Sequence, residues 1–565
     1  MSIDKKHLLP AILFVFFLVI GLTSVDFPER LQVTRDFYFN ADSGNDQSSG
    51  TTPSDSWKTL SMLENVEIRP GDKIYLAAGQ TFEEPLILKN MSGNSNQPIT
   101  ISTFKADQTI ETNKAFIKTK GFLNAVHLQN PNFIHIENLS ISAGPQVNTA
   151  TKAEHDGLMR NGLLVDITRE GTFGNLSLKN LEIRDVFFEQ PGYDRGEDEV
   201  TTANGTQRYG WGIRFINNVP EAKMKRIEID NVVVENVSHT GIKFTGHNVG
   251  DNYGIEDVRM SNSRVLKIGG PGIQMSGLKN GLFNGNTVDQ SGSDDDSRKW
   301  GRGSGLWTWS SSDILIEKNR FTNANGPGDS AGAHIDFNCR NIVLQYNFSA
   351  NNAGGFCEIL GNNYNCSYRY NISVNDGHRI KGKNGAFQEG KVLWLSGYAG
   401  MNNSRKGPFN SYVYNNTIYV GNSIQAKVAI DRQSDGILIA NNIFHIEGNT
   451  KAVEGDQYNP ESRGDITDPN PVFKNNLFLH SGSWPDDYKW QDSDPLFGNV
   501  AFENPGALVP EAYTPKNTVL VKNKGIDITT IPGDDVGLFV GLKVMEDFLG
   551  NPIKGQPDLG AIAVD

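Results

Sequence analysis

The chain has 565 residues, more than most single domains require, with 59 glycines and 37% hydrophobic residues. This composition is typical of a soluble, turn-rich folded protein and excludes a disordered one. The formal net charge of -13 excludes a general attraction to nucleic acid or anionic lipid, so an anionic substrate would need a local basic patch.

The N-terminal segment has the pattern of a secretory signal. Lys5, Lys6 and His7 precede an apolar run from Leu8 to Leu22, which is short for a membrane-spanning helix. We expect residues 1–24 to be a signal peptide, with an uncleaved anchor as the alternative, and the protein to be secreted or periplasmic. No later segment is apolar enough to cross a membrane, so no integral membrane domain is expected.

Residues 56–66 (SWKTLSMLENV) have the apolar spacing of a helix at Trp57, Leu60, Leu63 and Val66. We expect this segment to cover the N-terminal end of the fold, with Ser56 as its N-cap.

Short alternating apolar segments recur along the chain, each next to an asparagine. The asparagines are Asn138, Asn180, Asn231, Asn262, Asn286, Asn319, Asn347, Asn371, Asn416, Asn442 and Asn476. The shortest gap between them is 24 residues, and the longer gaps indicate loops inserted into some copies. A fixed minimal period with short strands predicts a β-solenoid in which the asparagines stack at a bend.

The segments FYFNADSGNDQSSGTTPSDSWKTLSML, RPGDKIYLAAG, QPITIS and EDFLGNPIKGQPDLGAIAV carry a family resemblance. The chain resembles secreted bacterial carbohydrate-active members of the pectate-lyase-like superfamily. That resemblance implies one single-stranded right-handed parallel β-helix over residues 37–565, with an N-terminal capping helix, inserted loops and terminal capping segments. The superfamily contains lyases, glycosidases, esterases and inert binders, so the fold does not decide the reaction.

One strand of each turn in the middle of the chain can be aligned. The aligned segments are GIRFI (212–216), GIKFT (241–245), GIQMS (272–276), GLWTW (305–309), GAHIDF (332–337), FCEIL (356–360) and GHRIK (377–381). Because a strand alternates faces, one parity points inward, from Ile213 to His378 and from Phe215 to Ile380. The other parity predicts an exposed outward row of Arg214, Lys243, Gln274, Trp307, Trp309, His334, Asp336, Glu358, Arg379 and Lys381.

Long segments surround this row at 195–212, 291–303 and 381–407, and loops on a rigid scaffold commonly form binding sites. The first and second are polar, and the second contains Arg302. We expect these loops to form the walls of a cleft above the outward row.

The outward row contains groups suited to proton transfer and to charge neutralisation. His334 is the candidate base, because its unperturbed pKa lies near neutrality, and Asp336 would orient it. Arg379, helped by Lys243, would hold an anionic group, and Glu358 completes the catalytic set. The predicted substrate-binding residues are Trp307, Trp309, Lys381, Gln274, Arg214 and Arg302.

These residues are compatible with three functions. The main interpretation is a lyase that acts by β-elimination on a uronate-containing polysaccharide or oligosaccharide, as a polysaccharide lyase or an oligosaccharide dehydratase. The alternatives are a glycoside hydrolase that uses Asp336 and Glu358, and a non-catalytic carbohydrate-binding β-helix. The expected partner is an anionic polysaccharide or oligosaccharide, not nucleic acid, and the expected state is a monomer.

No motif requires a cofactor, and the sequence leaves binding of a divalent cation such as calcium as an alternative. The acidic run Asp294, Asp295 and Asp296 lacks the spacing of a calcium loop, so any metal site is unknown. The three cysteines match no zinc pattern and are expected to be buried thiols.

Overall fold

The computed structural model describes residues 34–105, 113–145, 159–188, 210–292, 303–453 and 471–564. From Arg35 onward the chain forms one compact unit. The predicted signal peptide, the acidic run at 294–296, Arg302 and most of the 195–212 and 291–303 segments lie outside the described residues.

Within these residues, three long parallel sheets run side by side, and each turn contributes one strand to each sheet in the order sheet 1, sheet 2, sheet 3. Sheet 1 contains Leu86–Lys89, Asn124–Gln129, Arg160–Ile167, Gly210–Asn217, Ile242–Gly246, Ile273–Ser276, Leu306–Trp309, Ala333–Ile335, Gly355–Ile359, Lys391–Leu395, Lys427–Ile430 and Lys451–Ala452.

Sheet 2 contains Asp36–Phe39, Lys73–Ala77, Ile99–Phe104, Asn132–Glu137, Gly171–Lys179, Ala222–Asp230, Ile255–Ser261, Leu278–Asn284, Ser312–Glu317, Arg340–Gln345, Ser367–Arg369, Phe409–Tyr414, Asp435–Ala440 and Val472–Lys474. Sheet 3 contains Thr81–Phe82, Ala115–Lys120, Leu139–Gly144, Glu182–Val186, Val233–Val237, Arg264–Ile268, Thr287–Ser291, Arg320–Thr322, Phe348–Ala350, Ile372–Val374, Thr417–Val420, Ile443–Ile446, Leu477–Phe478 and Leu496–Phe497. A two-stranded antiparallel ribbon pairs Asn248–Val249 with Asn252–Tyr253.

The core lies inside the coil formed by the three sheets. The inward positions of sheet 1 are Ile213, Ile242, Ile273, Leu306, Ala333 and Cys357, and all are buried. Phe215 and Phe244 stack on successive turns with ring centroids 4.8 Å apart. No turn can bury its apolar side chains alone, so stacking of the turns forms the core. The predicted right-handed parallel β-helix is confirmed.

Two rows of asparagines line the corner between sheets 2 and 3. From Asn286 onward, each side-chain amide donates to the side-chain oxygen of the next member, at 2.9 to 3.0 Å, through Asn319, Asn347, Asn371, Asn416, Asn442 and Asn476. Asn476 then donates to Asp492 at 2.7 Å. The four earlier asparagines, Asn138, Asn180, Asn231 and Asn262, occupy the adjacent left-handed position instead, with φ of 51 to 57°. We call the row from Asn286 to Asn476 the asparagine ladder.

Both ends of the coil are covered. The N-terminal segment forms 3₁₀ helices at Pro53–Asp55 and Leu60–Asn65, and Trp57, Leu60 and Leu63 are buried. The residue before the second helix is Thr59, and it makes no side-chain capping bond, so Ser56 is not the N-cap. Further 3₁₀ helices lie at Ser481–Ser483, Pro510–Tyr513 and Thr518–Leu520.

The C-terminal segment runs back over the outer faces of sheets 2 and 3. On sheet 2, Val343, Tyr412 and Leu438 form a buried cluster with Ile531 and Leu538. On sheet 3, buried residues such as Phe348, Ile372 and Ile443 cluster with Tyr513 and Leu559. This segment therefore adds a second apolar layer outside the coil.

The three cysteines are free and buried, as predicted. Among the residues that the structure describes, none lies in a helix long and apolar enough to cross a membrane.

Candidate active site

The outward row of sheet 1 exists in the predicted register. Arg214, Lys243, Gln274, Trp307 and His334 are Cα partners on five successive strands. Glu358 occupies the next strand, because Ile335 pairs with Ile359, and Trp394 follows Glu358. Strand alternation therefore places six predicted site residues on one face.

That face is not exposed, and this prediction is wrong. Lys243 is 7% exposed, His334 1%, Asp336 5% and Glu358 4%. Side chains outside the coil pack over part of the row: Leu360 and Trp394 form a small apolar cluster with Phe337 and Tyr398. Strand parity tells which side of a sheet a residue occupies, but the layer above it is formed by distant segments.

The alignment also fails at its last member. Residues 377–381 form no strand, and the strand of that turn is Lys391–Leu395. His378 and Ile380, predicted to point inward, are exposed, whereas Arg379 is buried and Lys381 exposed. The segment 377–390 is an inserted loop whose alternating residues imitate a strand.

The guanidinium of Arg379, which was predicted to hold a substrate anion, hydrogen-bonds the protein itself. Its Nη1 donates to the carbonyl oxygens of Gly326 at 3.0 Å and Asp329 at 2.8 Å. Its Nε donates to the carbonyl oxygen of Gln388 at 2.9 Å, and Nη2 to the side chain of Gln388 at 3.3 Å. The arginine therefore holds the 377–390 loop against the segment that carries Asp329.

Asp329 was not among the predicted site residues. It and Ser330 both have left-handed backbone, with φ of 43° and 68°. Such conformations cost free energy in residues other than glycine, and in this chain they also recur at many bends of the coil. The Asp329 amide donates to Oε1 of Gln388 at 2.6 Å, so this strained backbone is fixed on both its N–H and its C=O. Consecutive strained residues before a strand are the signal that strand patterning could not reveal.

Three carboxyl groups interact at this end of the row. Burial, together with the charges of Asp329 and Asp336, raises the pKa of Glu358 to about 8, while Lys391 and Arg379 oppose the shift. A pKa this high keeps Glu358 protonated at neutral pH, because three carboxylates cannot all be ionised in a buried site.

Asp336 accepts hydrogen bonds from two neighbouring donors. Its carboxylate accepts a hydrogen bond from Trp307 Nε1 at 2.6 Å and from the Phe337 amide at 2.8 Å. Trp307 was predicted to be an open stacking platform for a sugar ring. It is only 4% exposed, and its indole N–H instead donates to Asp336. His334 packs beside Trp307 with ring centroids 5.2 Å apart, and its Nδ1 hydrogen-bonds Ser304 at 2.9 Å.

The remaining predicted residues lie farther along the row. Burial and the charge of Arg214 lower the pKa of Lys243 to about 7, against the opposing effect of Asp336. Arg214 packs over the Trp211 ring at 4.3 Å, and burial lowers its own pKa to about 10. Gln274 is 1% exposed. Trp309 is partly exposed and meets Phe337 edge-to-face at 5.8 Å.

No group of three or more His, Cys, Asp or Glu side chains is placed to hold a metal ion in the part of the chain that the structure describes. The site can therefore be described as buried carboxyl groups, cations and aromatic side chains on the outer face of sheet 1.

Comparison with known proteins gives three relevant likenesses. Residues 211–388 match the family model described as a right handed beta helix region. The chain is 24% identical to lacto-N-biosidase of Bifidobacterium longum subsp. longum over 94% of this chain, and it spans 36% of that relative's length. Two crystal structures of GH136 lacto-N-biosidase from Eubacterium ramulus, the selenomethionine derivative and the native protein, align with a TM-score of 0.51 each. They are 21% and 20% identical, and the alignments cover 80% and 78% of this chain and 68% and 67% of theirs.

These relatives contradict the predicted lyase and the carbon–oxygen lyase class assigned with it, because lacto-N-biosidases are glycoside hydrolases. The chain is a right-handed parallel β-helix protein, and lacto-N-biosidase, which it matches over 94% of this chain, is a glycoside hydrolase.

Proposed function

We propose that this protein is a glycoside hydrolase that cleaves a neutral oligosaccharide at the outer face of sheet 1. The observation that carries the proposal is the group of Asp329, Asp336 and Glu358, in which Glu358 has a pKa raised to about 8 by burial and by the other two carboxylates. Glycoside hydrolysis needs one protonated and one ionised carboxyl group, and this environment separates the pKa values of neighbouring acids.

Asp336 is the ionised member. Two donors, Trp307 Nε1 and the Phe337 amide, stabilise its negative charge. In the reaction it either attacks the anomeric carbon or removes a proton from the attacking water. Of the two carboxyl groups predicted for a glycoside hydrolase, Asp336 and Glu358, Asp336 therefore takes the role of the ionised group.

Asp329 and Glu358 together supply the proton. Their mutual repulsion favours one shared proton, which Glu358 retains at neutral pH. The proton then passes from Glu358 through the Asp329 carboxylate to the glycosidic oxygen as the C–O bond breaks, because Gln388 and Arg379 hold the Asp329 backbone in place. Water then supplies the hydroxyl group of the new reducing end and the proton that restores the acid.

A neutral substrate is supported by the state of the nearby cations. Lys243 has its pKa lowered to about 7, which weakens it as an anion ligand at neutral pH, and Arg379 donates to the carbonyls of Gly326 and Asp329. The name of the relatives indicates lacto-N-biose as the first sugar to test.

The test is release of the aryl alcohol from a chromogenic aryl lacto-N-bioside by the wild type and by Asp329→Asn. The wild type should release it, and the variant should be slower by about 10² to 10⁴-fold, the contribution of a general acid. Uronate polysaccharides should give no ultraviolet-absorbing unsaturated product. Turnover by Asp329→Asn equal to that of the wild type would overturn the assignment, and sugar binding without turnover by the wild type would favour a non-catalytic binder.

Secretion or periplasmic location, a cleaved signal within residues 1–24, and a monomeric state remain part of this proposal. They are consistent with an enzyme that meets its oligosaccharide outside the cytoplasm. N-terminal sequencing of the protein exported by its host and light scattering would check them.

A further inference from the structure

The 377–390 loop is closed on itself and fixed at its base. Gly382 donates to the carbonyl of Ala386 at 2.8 Å, and Gly390 donates to that of Arg379 at 3.0 Å. The buried Lys427 Nζ donates to the same Arg379 carbonyl at 2.7 Å. The loop is therefore an ordered element beside the carboxyl group cluster.

One side of this loop is polar and faces the protein. Arg379 and Gln388 are 8% and 1% exposed and hydrogen-bond the Asp329 backbone. Next to Gln388, the Phe387 amide donates to the carbonyl of Pro327, two residues before Asp329, at 3.0 Å. The backbone of Phe387 and the side chain of Gln388 are thus in direct contact with the segment that holds Asp329.

The solvent-facing side of the loop carries two large apolar side chains among lysines, glycines and Asn384. Phe387 is 45% exposed and Ile380 is 40% exposed, while Ala386 and Gln388 on either side of Phe387 are buried. Isolated exposed apolar residues are common, but here two large ones share a rigid loop one residue from a contact to Asp329. An aromatic ring held in this way offers a flat apolar surface at the edge of the site.

We propose that Phe387, with Ile380 of the same loop, is a binding subsite for the apolar C–H face of a neutral sugar ring. This subsite rests on the proposed function for its substrate. Because Gln388 follows Phe387 directly and binds the Asp329 amide, a sugar on Phe387 is held in a fixed position relative to Asp329. Phe387 acts on binding, and Gln388 is a positioning residue for the acid.

Binding of lacto-N-biose, measured by ligand-observed NMR titration, tests the subsite independently of turnover. Phe387→Ala should weaken the Kd about three- to tenfold, the size of one aromatic contact, and Phe387→Tyr should keep it. The matched control is Phe122→Ala, because Phe122 is also 45% exposed but precedes a strand of sheet 1 that lies eight positions from Lys391–Leu395, the strand after Phe387, or about 38 Å along the coil.

Kinetics on the aryl lacto-N-bioside separates the two roles. Phe387→Ala should raise KM with kcat near that of the wild type, whereas Gln388→Ala should lower kcat and shift the pH profile with little change in KM. An unchanged Kd in Phe387→Ala, an equal loss in Phe122→Ala, or no binding by the wild type would overturn the subsite. Binding that depends on Phe387 without hydrolysis would support the subsite and refute the proposed hydrolase.

Discussion

The outer faces of sheets 1 and 2 are both buried, but by opposite kinds of contact. On sheet 2, Val343, Tyr412 and Leu438 meet the apolar side chains of the C-terminal segment. On sheet 1, Lys243 and Glu358 are just as inaccessible, yet they are ionisable groups with pKa values moved toward neutrality. The first face gains free energy from burial, and the second loses it.

The difference indicates which face was shaped for chemistry. The apolar contacts on sheet 2 stabilise the fold, and no further role is needed to account for them. A buried group of three carboxyl groups and several cations costs stability, and groups with strongly shifted pKa values are concentrated at active sites. Substitutions on the two faces should therefore separate activity from stability.

The largest effect is expected for Asp336→Asn. The amide keeps the size of the side chain but removes the negative charge, so kcat should fall by about 10³-fold or more with little change in Tm. Asp313→Asn, which changes an accessible carboxylate on sheet 2, is the control and should keep full activity. A variant at Asp336 within tenfold of wild-type kcat would remove this residue from the mechanism.

Leu438→Ala should have the converse effect. Leu438 is 5% exposed under the C-terminal segment, so its truncation should lower the free energy of unfolding by about 2–4 kcal/mol while kcat below the transition stays unchanged. Urea unfolding measures this, with Val519→Ala, at a position 78% exposed, as the control. Loss of kcat in a variant of unchanged stability would show that the two faces are not independent.

Arg379→Ala should lower kcat about 10²-fold with KM nearly unchanged. Its guanidinium fixes the Asp329 and Gly326 carbonyls, and a misplaced catalytic group loses rate by that order. Arg379→Lys should recover only part of the rate, because one ammonium group cannot reproduce the planar fork. A rise in KM at constant kcat would instead identify Arg379 as a substrate ligand, and circular dichroism checks the fold.

The smallest effect is a change in the pH dependence of stability in Glu358→Gln. The folded pKa of Glu358, about 8, lies above its ordinary value of 4.5, so its contribution to stability is complete below about pH 4.5 and is lost as the pH rises toward 8. The wild-type Tm should therefore fall over this interval relative to that of Glu358→Gln. Parallel Tm curves for the two proteins would contradict the raised pKa.

Strand alternation was sufficient to predict much of the site. A two-residue period follows from the backbone itself, so the inward position of Ile242 and the outward position of Lys243 could be read from the sequence. The minimal spacing of asparagines predicted stacked turns in the same way. His334, Asp336 and Glu358 were placed on one face by these local rules alone.

The errors have a common physical origin in contacts between distant segments. The segment GHRIK imitated a strand, while the strand KVLWL, with apolar residues at every position after Lys391, carried no alternation to identify it. Trp394 and Tyr398, from a later turn, pack with Leu360 and Phe337 at one end of the row. The strain at Asp329 and the raised pKa of Glu358 arise only when such segments meet.

The asparagine ladder has a direction, which follows from its terminal residue. Each interior side-chain amide accepts a hydrogen bond on its oxygen and donates one from its NH₂ group. The bond dipoles therefore add along the column. Asp492 has no N–H on its side chain and can only receive, so it is suited to the last position. An acidic residue in place of the next expected asparagine is therefore a termination signal for such a column.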